Sequence, residues 1–181
     1  STKKAMSLSR ATIALRQAQR DLQVQMAESR RDIKAYNLIA EDTTKGFEER
    51  MEAADKAIAL EKQLMADRRK LAEEELRIHQ QQMALSETTE EDLQKEAELK
   101  AQVAALEMES LELQTTLNNK RNTINDQRIA EAEKVAALER ELIREQMADR
   151  AKQEAEIQDQ LTQRLKDIDK LKIAESEAEE L

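Results

Sequence analysis

Apolar residues recur along the chain in steps of three and four, separated by charged and amide side chains. In the first stretch Leu8, Ala11, Leu15, Ala18, Leu22, Met26, Ile33, Tyr36 and Ala40 share one face, the spacing of an amphipathic helix that packs on another helix. Ser29 sits on that seam, and the step from Leu22 to Met26 followed by Ser29 is a stutter, which locally unwinds a left-handed supercoil. In the second stretch Phe47, Met51, Ala54 and Ile58 form one edge. A strict seven-residue ladder of Ala57, Leu64, Leu71, Ile78 and Leu85 lies beside it. The third stretch follows Leu99, Val103, Leu106, Ser110, Leu113, Leu117, Lys120 and Ile124. Its seam turns polar at Asn118, Asn119, Asn122 and Asn125, which leaves room for a bend, although nothing there is a strong helix breaker. Apolar content resumes at Val135, Leu138 and Leu142 and continues through Ile157, Leu161, Leu165, Ile168 and Leu171.

Two short polar segments separate the stretches. Residues 41–46 end at Gly46, and if Gly46 is the N-cap of the next helix, Glu49 falls at its third position, where a carboxylate suits free backbone N–H groups. Thr44 is an alternative cap. In residues 86–91, Thr88 with Glu91 has the form of a capping box, and Thr89 with Asp92 offers the same one residue later. The pattern therefore predicts an all-α chain with helices over residues 1–40, 47–85 and 90–181, forming a coiled coil or an antiparallel helical meander. The candidate interaction residues are the seam members Leu8, Leu15, Leu22, Met26, Ile33, Leu64, Leu71, Ile78, Leu85, Leu99, Val103, Leu106, Leu113 and Leu117.

Composition narrows the alternatives. One glycine, no proline, no tryptophan, and Tyr36 and Phe47 as the only aromatics cannot furnish the turns and strands of a β or α/β domain of 181 residues. High charge with few aromatics would suit a disordered chain, but the residues present are strong helix formers in regular heptad-like spacing. The net charge of −9 is unevenly placed. Residues 1–34 carry +5, from eight basic residues against Asp21, Glu28 and Asp32, leaving −14 for the rest. This basic first helix suits either an acidic partner or the chain's own acidic helices. An acidic total and the lack of a stacking platform disfavour nucleic acid. Residues 3–36 have the basic, striped form of an interfacial helix, yet lack Trp and Phe anchors, so membrane binding is not expected. No apolar run reaches the 18 to 20 residues of a membrane span, and no signal-type segment is present. The chain starts and ends inside the helical pattern, as expected of an excerpt from a longer protein.

Little in the sequence carries chemistry. His79 is the only histidine and cysteine is absent. Glu75 and Met83 flank His79 at helical spacing, but zinc needs three or four converging ligands, and a seam-edge or solvent-facing histidine is expected. A ferritin-type di-iron centre needs two Glu-x-x-His motifs. One glycine cannot build a phosphate loop. The abundant carboxylates lie on faces too polar to bury, as pKa splitting for acid–base work requires. Seven scattered methionines fit seam filling. No enzyme activity, cofactor or metal is expected. A weak internal similarity links Met65-Ala66-Asp67-Arg68 with Met147-Ala148-Asp149-Arg150, and Met26-Ala27-Glu28 is a looser third copy.

The run AEDTTKGFEER at residues 40–50, the helix that follows it, and TTEEDLQKEAEL at residues 88–99 resemble the coiled-coil portion of tail tape-measure proteins of Bacteroidetes phages and prophages. The resemblance covers about residues 20–120; residues 121–181 match in composition only. Gly46 stands where the family pattern has Ser. A structural role is what the resemblance implies: self-associating helical copies inside a tail tube, setting its length and released with the DNA, in contact with tail-tube or other structural proteins and located in the virion tail. The alternative is a cytoplasmic coiled-coil scaffold, adaptor or chaperone-like helical hairpin that binds a protein partner.

Overall fold

The structure is a computed structural model that describes residues 1–180. It is all-α, with helices α1 (Thr2–Glu41), α2 (Phe47–Leu85) and α3 (Glu90–Glu179). The chain divides into two units, residues 1–128 and residues 129–180.

In the first unit both polar segments are tight turns. After α1 the Asp42 carboxylate accepts hydrogen bonds from the Thr44 backbone N–H at 3.0 Å and its hydroxyl at 2.6 Å, a local Asx arrangement that competes with continued helix. Gly46 is the N-cap of α2 at φ −62°, without a side chain to accept a capping bond. Glu49 takes the Lys45 ammonium at 3.1 Å. Thr89 rather than Thr88 closes the second turn. Its hydroxyl accepts from Asp92 N–H at 3.2 Å while the Asp92 carboxylate accepts from Thr89 N–H at 2.9 Å, a reciprocal cap that satisfies two otherwise free donors.

Cross-helix pairs fix the register. Gln25 to Asp67 and Gln19 to Glu75 set α1 antiparallel to α2. Gln80 to Glu96, Arg68 to Glu109 and Arg121 to Asp55 set α2 antiparallel to α3. Lys120 of α3 reaches Asn37 and Glu41 of α1. The unit is thus a three-helix antiparallel meander. Its interior is narrow: Ala40, Ala53, Ala54 and Ile124 form one cluster, and Met65, Ala72 and Leu106 another. Small side chains let the helix backbones approach while each adds little apolar burial.

Among residues 129–180 every side chain is exposed except Ala136, which is half-buried. Asn118, Asn119, Asn122 and Asn125 interrupt nothing, and α3 is helical throughout them.

Candidate functional site

The seam residues are gathered in the first unit. Leu15, Ile33, Leu64, Ile78, Leu99, Leu106 and Leu117 are buried. Leu8, Leu22, Met26, Leu71, Val103 and Leu113 are half-buried at the flanks of the same seams. Leu85 differs from its ladder: it is the last residue of α2 and is 45% exposed, lining with Lys4 and Leu8 a cleft at the open end of the helix pair.

One groove draws on all three helices, with a volume of about 690 Å³. Arg30, Ile33 and Lys34 of α1, Glu61, Leu64 and Arg68 of α2, and Glu109 and Leu113 of α3 line it. The Arg68 guanidinium forks the Glu109 carboxylate at 2.7 and 3.3 Å, a bidentate geometry that fixes α2 against α3. Burial pushes the Glu61 carboxyl up, opposed by the nearby Lys120 ammonium. The groove holds ion pairs and apolar stems. It contains neither a histidine nor a hydroxyl–base pair, the arrangement that nucleophile activation requires.

His79 lies elsewhere, donating from Nε2 to the Asp92 carbonyl at 2.9 Å, where it ties the end of α2 to the first turn of α3. Among the described residues no group of three or more His, Cys, Asp or Glu side chains is placed to hold a metal ion. No helix of the described residues is long and apolar enough to cross a membrane.

The most constrained polar side chain is Arg50, 5% exposed and the only buried charged residue among those described. Its Nε donates to the Ala40 carbonyl at 2.9 Å and an Nη to Gln127 Oε1 at 3.0 Å, and its guanidinium lies 5.4 Å from the Phe47 ring centroid. Ala40 is among the last four residues of α1, whose carbonyls have no intrahelical partner. Arg50 therefore caps α1 from α2 and reaches α3 at the same time. It belongs to the restart FEER at residues 47–50, which sequence reasoning treats as cap chemistry alone. The available signal is an arginine one turn after the N-cap, within reach of the preceding helix's free carbonyls once the chain folds back. A second contact across the same pair of helices places Lys56 Nζ 5.7 Å from the Tyr36 ring centroid.

Comparison with protein-family models, with curated proteins and with solved structures found no match.

Proposed function

We propose that the chain is a non-enzymatic structural protein that works by helix–helix association, the coiled-coil part of a tail tape measure in a phage or related injection device. The observation that carries this reading is that three helices of 40, 39 and 90 residues account for nearly the whole chain and are joined by turns of a few residues. Laid end to end, those helical residues would span about 250 Å at 1.5 Å per residue. The restart sequences at residues 40–50 and 88–99, which resemble the tape-measure pattern, are the two turns themselves. On this reading the folded meander is a form from which a longer rod is drawn, and the protein resides in the virion tail.

The test is length scaling. In-frame deletions within α3 shorten the assembled tube by about 1.5 Å per residue removed if the helix is extended in the tube. Tubes of unchanged length overturn the reading.

A scaffold or adaptor in the cytoplasm, built as a helical hairpin for a protein partner, is the second reading. The closed first turn favours it, because Arg50 ties α1, α2 and α3 together in the folded-back state. Binding of a single protein partner at fixed stoichiometry, with the meander intact, would establish it over the tape measure.

A further inference from the structure

Residues 129–180 bury almost nothing, yet keep a helix seam. Stepping alternately by four and three from Ile143 to Glu175, its apolar members are Ile143, Met147, Ile157, Leu161, Ile168 and Leu171, all between 48% and 67% exposed. Its charged members are Arg150, Glu154, Arg164 and Glu175. These are a- and d-type positions, which in a two-stranded coiled coil face the other helix.

We propose that this seam pairs with the same segment of a second copy, antiparallel, in the register that sets Arg150 opposite the second copy's Glu175. The choice of partner and direction follows from charge. In a parallel pair each seam position meets itself, so Arg150, Glu154, Arg164 and Glu175 would make four like-charged layers, each costly to desolvate without an opposite charge. The antiparallel register converts the outer two into Arg150–Glu175 pairs, made twice by the two-fold symmetry. It also sets Ile157 against Ile168, again twice. Glu154 then meets Leu171 and Arg164 meets Leu161, so no seam charge faces its like. The overlap covers residues 145–180, about 54 Å of helix, and the pair closes on itself without exposing a further copy of the seam.

The inference rests on the helix-association reading above, and within it an antiparallel pair favours the scaffold over copies threaded along one tube. Its test uses the full chain, whose lack of cysteine gives a clean background for cross-linking. Met147→Cys and Ala178→Cys chains are mixed under mild oxidation. The antiparallel register yields a disulfide joining one variant to the other. Homodimers of each variant would show a parallel pair and overturn the direction alone, leaving association standing. A monomer by sedimentation with no cross-link would overturn association through this segment. Independently, Arg150→Glu should weaken the dimer at least tenfold in sedimentation equilibrium, and Glu175→Arg in the same chain should restore it. Failure of that rescue in a helical, folded double variant would refute the register.

Discussion

Replacing Arg50 tests the first unit most directly. Arg50→Ala removes two hydrogen bonds from a charged donor, leaves the carbonyl of buried Ala40 short of a partner while exposed Gln127 turns to water, and empties the space beside Phe47. Hydrogen bonds to charged groups contribute about 1.5–3 kcal/mol each, and an orphaned buried acceptor costs about 1–3 kcal/mol. Against this stands the desolvation of a guanidinium whose polar partners here are neutral oxygens, a cost the variant relieves. The balance is a loss of about 3 kcal/mol for Arg50→Ala. Arg50→Met keeps the aliphatic stem in place and should lose about 2 kcal/mol, the difference being packing. Arg50→Lys keeps the charge but cannot fork between α1 and α3, and should fall near the Met variant.

The assay is urea unfolding followed by the fluorescence of Tyr36, the only tyrosine, which lies within the first unit and reports on it alone. With a slope of about 1–3 kcal/mol per molar urea, a 3 kcal/mol loss lowers the midpoint by about 1–3 M. Arg31→Ala is the control, because that side chain is 75% exposed and pairs only with its neighbour Asp32; such a change costs less than about 0.5 kcal/mol. If Arg50→Ala shifts the midpoint no more than Arg31→Ala, the clasp contributes nothing and the account of the first turn fails.

Other substitutions report on the caps, the core and the carboxylates. Gly46→Ser should stabilise by about 0.5–1 kcal/mol in the same titration, since Gly46 has an ordinary negative φ, an added Cβ meets nothing within 4 Å, and a hydroxyl supplies the missing cap. Leu106→Ala should cost about 2–5 kcal/mol and Ala54→Leu about 1–3 kcal/mol, the first by a cavity beside Met65 and the second by overpacking a fully buried alanine. The hydrogen bonds of Thr44 and Thr89 hold the Asp42 and Asp92 carboxyls below the ordinary range. Their contributions are therefore present above about pH 4 and lost as the pH falls through the lowered folded values. Asn at both sites should shrink the acid-induced drop in Tm. Glu61 has the opposite sign: burial raises its carboxyl, so its ionised form costs stability at neutral pH, and Glu61→Gln should raise Tm at pH 7 while leaving it unchanged in acid.

The helices were legible because three-and-four spacing reflects burial against a neighbour, and Leu15, Ile33, Leu64, Ile78, Leu99, Leu106 and Leu117 do bury. The same spacing at Ile157, Leu161, Ile168 and Leu171 leads to exposed residues. Periodicity marks a face fit for a partner but not whether the same chain supplies one. The four asparagines of residues 118–125 make the seam polar without breaking the helix: Asn118, Asn119 and Asn122 are exposed, and an exposed amide does not disturb the backbone ladder. Thr88 and Thr89 were equally plausible caps; the reciprocal bond with Asp92 decides for Thr89. Arg50 was invisible as a clasp because its acceptors, Ala40 and Gln127, come within reach only when two turns close.

Direction of pairing also bears on the two functional readings. Copies threaded along one tube share a direction, whereas a scaffold that joins two identical partners is served by copies running opposite ways. The charges at Arg150, Glu154, Arg164 and Glu175 are what oppose the shared direction in residues 129–180. Replacing all four by Gln removes the like-charged layers of the parallel pair and the Arg150–Glu175 attraction of the antiparallel one. The apolar seam of Ile157, Leu161, Ile168 and Leu171 remains and has no directional preference of its own. In the oxidation experiment the Gln variant, carrying the two cysteines in separate chains, should therefore yield homodimers alongside the mixed product, with the helix content unchanged. If it still yields only the mixed disulfide, charge does not set direction, and the antiparallel order must come from the shape of the apolar residues themselves.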